Sequence, residues 1–132
     1  MIIENKPKFL GVGTDIENVD RFYKFNNENN KFLKKIFTKN ELSYCFSKKD
    51  AANHLAARYT GKEAIIKAIN NLDQTVIEFK DIEILNDKKG APFVKLYKQE
   101  LKDIDIKISL SHCKDKATAF AIAVKTKNCK GW

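Results

Sequence analysis

The chain is poor in cysteine, and the three it has, Cys45, Cys113 and Cys129, are odd in number and contain no Cys-x-x-Cys pair. That spacing argues against a disulfide framework or a zinc site and points to reduced thiols in a cytosolic protein. Long apolar runs are absent: nothing approaches the roughly 20 residues that span a bilayer, so no membrane partner is expected. The opening segment, Met1-Ile-Ile-Glu-Asn-Lys6, lacks the basic region, apolar stretch and cleavage site of a signal peptide, which makes the cytoplasm the expected location. No Gly-x-Ser-x-Gly elbow is present, which removes the usual serine hydrolase. Gly11 and Gly13 are not followed by the third glycine and helix of a dinucleotide fingerprint, and no Gly-rich loop ends in Lys-Ser or Lys-Thr.

What is present is ordinary in bulk and unusual in detail. With 132 residues, 43% of them hydrophobic, the chain is long enough to bury a core without staples, and one domain over residues 1–132 is expected. The formal charge of +8, from 25 Lys and Arg against 17 Asp and Glu, suits an acidic partner. Charge alone does not choose between nucleic acid, a membrane surface and an acidic protein, and compositional drift toward Lys, Asn and Ile would give the same excess.

Along the chain, Leu10, Val12, Thr14 and Ile16 alternate with Gly11, Gly13 and Asp15, which predicts a strand with one nearly bare face that another backbone can approach. A short helix over 18–25 and a polar loop over 26–30 follow. Thr38-Lys-Asn-Glu41 fits a capping box opening a helix to about Phe46. Ser47-Lys-Lys-Asp50 opens a long helix to about Ile69, with Asn70-Asn71 as its left-handed cap. Alternation then predicts strands at 76–85 and 92–97, separated by a turn at Asp87-Lys-Lys-Gly90, and a hairpin of 106–110 with 120–124 closed around 113–116. The tail, about 127–132, is expected to fray. Helices first and antiparallel strands later give an α+β fold, an N-terminal strand and helices including one long central helix on a mainly antiparallel sheet.

The chemistry-bearing residues admit two readings each. On a wheel of about 100° per residue, Leu55, Tyr59, Ile66 and Ile69 form one apolar stripe with Lys62 near its middle, Arg58 beside it, and Glu63 and Lys67 on its edge. A lysine in a core-facing stripe is costly unless its charge is neutralised or its tail snorkels. The plain alternative is a snorkelling Lys62 and a surface Glu63–Lys67 pair worth about 0.3–0.5 kcal/mol. Asp15 ends a strand, where an aspartate commonly serves a turn. Brought beside Glu63, it becomes half of an oxygen site suited to Mg²⁺. Ser111 and His112 either bond a turn's backbone or recognise a phosphate or ribose at a strand end. His54 reads as a helix-surface residue.

Taken together, Gly11-Val-Gly-Thr-Asp-Ile16 with Arg21 following, Phe37-Thr38 with Glu41, Ala57-Arg-Tyr-Thr-Gly-Lys-Glu-Ala-Ile-Ile-Lys-Ala68, Gly90-Ala-Pro92 and Ile108-Ser-Leu-Ser-His112 form an ordered set. In this order they resemble the holo-acyl carrier protein synthases, the small 4′-phosphopantetheinyl transferases, over about Gly11 to Val124. The resemblance implies transfer of the phosphopantetheine arm of coenzyme A to a serine of apo-acyl carrier protein, leaving adenosine 3′,5′-bisphosphate. It implies Mg²⁺, with Mn²⁺ as an alternative, held by Asp15 and Glu63. Lys67 joins these two as a catalytic residue, and Glu63 or a metal-bound water takes the serine proton. Arg58, Lys62, Ser111 and His112 become phosphate contacts, Gly90 and Pro92 lie by the adenine, and Arg21 and Lys24 dock the acidic carrier. A homotrimer with sites between subunits is also implied, so that His112 serves a neighbour's Asp15. Two departures stand out. Thr60-Gly61 replaces alanines before the Lys-Glu pair, where a mid-helix glycine costs about 1 kcal/mol, and Asn70 replaces a common glycine. The competing class is a basic nucleic-acid or acidic-surface binding module, for which the chain offers net charge and no recognition motif.

Overall fold

The computed structural model describes residues 9–72 and 75–126; the tail expected to fray and Cys129 lie outside the described residues. Strand β1 (Leu10–Asn18) leads through a 3-10 turn at Val19–Phe22 to three helices: α1 (Lys31–Ile36), α2 (Lys39–Phe46) and α3 (Ala51–Leu72). Strands β2 (Ile82–Asn86), β3 (Pro92–Leu96), β4 (Ile104–His112) and β5 (Lys116–Lys125) complete the order. The expected α+β architecture is present, with every strand pair antiparallel but divided between two sheets, β1-β5-β4 and β2-β3.

Over β1 and β5 the inner face of the larger sheet is made of small residues, while β4 turns Ile106, Ile108 and Leu110 to the same side. Gly11 and Gly13 of β1 and Ala117, Ala119, Ala121 and Ala123 of β5 are all buried. Their lack of bulk lets α3 lie almost on the backbone. A Cβ on Gly13 would stand 2.1 Å from the Ala64 carbonyl oxygen, and one on Gly11 2.1 Å from that of Ala68. This close approach fixes which residues of α3 meet which residues of β1. The outward face of the same sheet is the reverse: Leu10, Val12, Ile16 and Phe120 are large, apolar and exposed.

Local signals hold well at α2, where Thr38 and Glu41 make both bonds of the capping box. Three expectations change. α3 runs to Leu72, and no non-glycine residue among those described has positive φ, so Asn70-Asn71 is not a left-handed cap. Burial of Leu72 carries the helix onward, and the Asn71 side chain instead accepts a hydrogen bond from the Val12 amide, 3.0 Å, on β1. The strand expected over 76–85 begins only at Ile82, after a 3-10 turn at Phe79–Asp81. The short helix expected over 18–25 is only a 3-10 turn at Val19–Phe22; the 26–30 loop is as expected, and after it Asn30 caps α1, which buries Leu33 and Ile36.

Candidate active site

Asp15 reaches the site because it shares the Gly11–Gly13 face of β1, the face turned to α3. Glu63 and Lys67, one helical turn apart, meet it there. Lys67 Nζ lies 3.1 Å from Asp15 Oδ1 and donates to the Thr14 carbonyl, also at 3.1 Å. Partial burial and then the nearby Asp15 charge push the Glu63 carboxyl up from its ordinary value, while Lys67 opposes the shift. A carboxyl whose ionisation a neighbouring carboxylate resists, with one lysine at the same edge, gives a hard-oxygen donor pair of the kind that suits a divalent cation. Among the described residues no group of three or more His, Cys, Asp or Glu gathers to hold a metal.

Glu17, two residues along the same strand face, also disfavours ionisation of Glu63. Its own carboxylate accepts from Arg21 at 2.6 Å and from the Asn18 amide at 3.0 Å. The Arg21 guanidinium in turn lies 4.9 Å over the Tyr59 ring. Arg21 thus borders the carboxylates rather than projecting freely. Beside it Lys24, Phe25 and Phe32 line a shallow basin of about 360 Å³. Glu17 escaped sequence reasoning, although its i,i+2 spacing from Asp15 was a usable signal.

A second group forms around Arg58, about 140° around α3 from Glu63 by helix geometry. Arg58 is buried, stacks 4.2 Å over Tyr44 and donates to Asn86 Oδ1. Asn86 then donates to the Gly90 carbonyl, 2.9 Å away, so one side chain links Arg58 to the turn before Pro92. Gly90 adopts φ +89°, which explains glycine at that position. Arg58 Nε is buried with no partner among the described residues. Such an orphaned donor, beside a cleft of about 490 Å³ lined by Tyr44, Asn86, Asp87 and Phe93, suits an anionic ligand. His112 joins this group through His54, ring centroids 6.2 Å apart, and His54 meets Tyr44 edge-on. Burial, then the charges of Arg58, His112 and Lys48, hold the His54 imidazole below its usual range. His54, Tyr44 and Asn86 therefore belong to the site, which isolated histidines and asparagines in a sequence do not reveal.

Ser111 sits apart from His112, since successive strand residues face opposite ways; it pairs with Thr118 on the outward face. Lys62 requires a correction. Expected to face phosphate, it is fully buried, 2.7 Å from Glu41 Oε1, and donates to the carbonyls of Ile36 (2.7 Å) and Phe79 (3.0 Å). Its ammonium has three acceptors and no exposure, so it is a core cation rather than a ligand contact.

Known proteins resemble this chain in sequence and in fold. Residues 11–124 match the 4'-phosphopantetheinyl transferase superfamily model. A Protochlamydia amoebophila protein named holo-[acyl-carrier-protein] synthase is 41% identical over 117 residues, covering 86% of this chain and 96% of its own length. Its namesake in Chlamydia muridarum is 40% identical, covering 92% and 99%. Among solved structures, the Mycobacterium tuberculosis acyl carrier protein synthase superposes with a TM-score of 0.70 at 34% identity, over 87% of this chain and 96% of that one. The Bacillus anthracis holo-(acyl-carrier-protein) synthase in complex with CoA superposes at 0.74 with 29% identity, over 90% and 99%. The strand-to-helix carboxylates, the Arg58 cleft and these likenesses agree, and the chain belongs to the 4'-phosphopantetheinyl transferase superfamily.

Proposed function

We propose that this chain is a holo-acyl carrier protein synthase: it moves the 4′-phosphopantetheine arm of coenzyme A to a serine of apo-acyl carrier protein and leaves adenosine 3′,5′-bisphosphate. The observation that carries the reading is the meeting of Asp15, Glu63 and Lys67 where β1 crosses α3. Asp15 and Glu63 are the residues that would hold Mg²⁺, or Mn²⁺ in its place. When bound, the ion offsets the negative charge that builds on the diphosphate oxygens as the serine attacks the β-phosphorus. Lys67 adds a second positive charge at the same edge. Glu63, whose carboxyl is pushed upward by burial and by Asp15, is suited to accept the serine proton.

Arg58, with its unpartnered Nε, takes a phosphate of coenzyme A, and His112 lies in the same group. The Gly90–Pro92 turn, tied to Arg58 through Asn86, lies by the adenine. Arg21 and Lys24 flank an aromatic basin that suits an acidic helix of the carrier.

The active form in this reading is a homotrimer. Two features support it. Leu10, Val12, Ile16 and Phe120 are 57%, 47%, 60% and 45% exposed on one sheet face, an apolar surface that a second copy would cover. Among the described residues no hydrogen bond or ion pair joins the Arg58–His112 group to Asp15 and Glu63, so each chain carries two half-sites. Pairing one subunit's Arg58 group with its neighbour's carboxylates completes them, with Ser111 on the outward face toward that neighbour. No described helix is long and apolar enough to cross a membrane, and the cytoplasm, where coenzyme A and reduced thiols coexist, is the proposed location.

Incubation with apo-acyl carrier protein, coenzyme A and Mg²⁺ tests the reading. Mass spectrometry should find the carrier heavier by one phosphopantetheine arm; an unmodified carrier under conditions where coenzyme A binds would refute it.

A further inference from the structure

Lys62 and Glu41 occupy the most demanding place in the molecule for charge: both side chains are wholly buried. Nothing about them is left over. The ammonium has three donors, and Glu41, Ile36 O and Phe79 O accept all of them. The Glu41 carboxylate also accepts from the Thr38 amide at 2.8 Å and from the Ile84 amide at 2.7 Å. One pair thus ties α3 to the end of α1, the start of α2, β2 and the Phe79 turn.

A buried ion pair is weak support for stability, because apolar side chains of similar volume serve a core as well or better. What it supplies that they do not is direction. Between the Arg58–Asn86 and Lys67–Thr14 hydrogen bonds, the remaining contact of α3 is directionless: glycine against backbone on β1, and aliphatic side chains against Gly61. The helix is also weakest here. Gly61 stiffens it least, and Thr60 Oγ1 bonds back to the Ala56 carbonyl at 2.6 Å, a contact that bends helices. Glu63 follows immediately, about 100° around the axis from Lys62. With Lys62 anchored inward by three bonds, Glu63 is held toward Asp15.

We infer that Glu41 and Lys62 are positioning residues: anchored across the weak Thr60-Gly61 segment, they fix the rotation of α3 and so set the divalent-cation affinity of Asp15 and Glu63 from within the core. The inference rests on the proposed metal role of those carboxylates. Neither residue touches substrate, and the effect passes entirely through Glu63.

The test separates aim from fold. Full-length protein with Glu41→Gln and Lys62→Met together, and with Lys62→Met alone, is titrated with Mn²⁺ by electron paramagnetic resonance and with coenzyme A by calorimetry. Transfer is measured against Mg²⁺ concentration. In folded variants, Mn²⁺ affinity should fall about tenfold and the half-saturating Mg²⁺ for transfer rise equally, with coenzyme A affinity within twofold. A folded variant with unchanged Mn²⁺ affinity overturns the inference. Coupling is reciprocal, so a wild-type measurement covers variants that do not fold. Mg²⁺ should slow hydrogen exchange at the Thr38 and Ile84 amides, and unchanged exchange there while Mg²⁺ binds overturns the inference. If wild-type protein binds no Mn²⁺ at Asp15 and Glu63, it is the metal reading that fails.

Discussion

Lys62 and Glu63 are neighbours in sequence and opposites in surroundings. Lys62 is enclosed, neutralised by Glu41 and hydrogen-bonded to capacity. Glu63 stands at a half-open rim beside a like charge, and its carboxyl is pushed upward by burial and by Asp15. On one side of α3 electrostatics have been satisfied; on the other a conflict is kept. The satisfied pair builds the scaffold, and in the proposed function the conflicted pair is where a cation and a phosphate bind. On that reading a single helix separates stability from reactivity by about 100° of rotation.

The largest expected effect breaks the satisfied side. Lys62→Ala strands Glu41 as an unpaired buried charge and should cost about 3–5 kcal/mol, measured by urea denaturation. The conflicted side should answer oppositely. Glu63→Gln should lower transfer by about 10²–10³-fold, the scale of losing one electrostatic group at a reacting centre. The same variant should melt higher than wild type at pH 7 in metal-free buffer. Because the native pKa of Glu63 lies above its unfolded value, the stability linked to this group is complete below the unfolded carboxylate pKa. It is lost as pH rises through the raised native value. The melting advantage of the variant should therefore shrink as the pH is lowered toward about 4. Adding Mg²⁺ should stabilise wild type and leave the variant unmoved.

Gly13→Ala acts on what brings the two sides into register. Its Cβ would collide with the Ala64 carbonyl and the Ala68 amide, so α3 must back away from β1. A loss of about 1–3 kcal/mol is expected, with activity falling further than stability alone explains. Smallest in stability is Lys67→Ala. The Lys67–Asp15 pair is more than half exposed on the lysine side and should contribute under about 1 kcal/mol. Transfer should nonetheless drop about tenfold or more, because Lys67 is the cation at the carboxylate edge.

Much of this was legible from local pattern. The Thr38–Glu41 capping box, the long helix, the Gly90 turn and the closing hairpin are each specified by residues within a few positions of one another. What escaped depends on distant partners. The inward turn of Lys62 is set by Glu41 and by two carbonyls, at Ile36 and Phe79, which no helix wheel displays. Asn71 looked like a cap because helix ends favour asparagine, but its side chain was claimed by β1 and the helix continued. Helix α1 goes unseen after an asparagine-rich run because only Leu33 and Ile36 mark its buried side, too few to show a period. The candidate site was half visible: Asp15, Glu63 and Lys67 stand out as residue types in unusual places. Glu17, Tyr44, His54 and Asn86 do not, and only the packing of α3 against its neighbours gathers them.

Calorimetric titration of Mg²⁺ into the coenzyme A-saturated protein, repeated with Glu63→Gln, tests the central claim most directly. One divalent ion should bind per chain in wild type and none measurably in the variant. Equal affinity in the two would contradict the account and remove Asp15 and Glu63 from the chemistry.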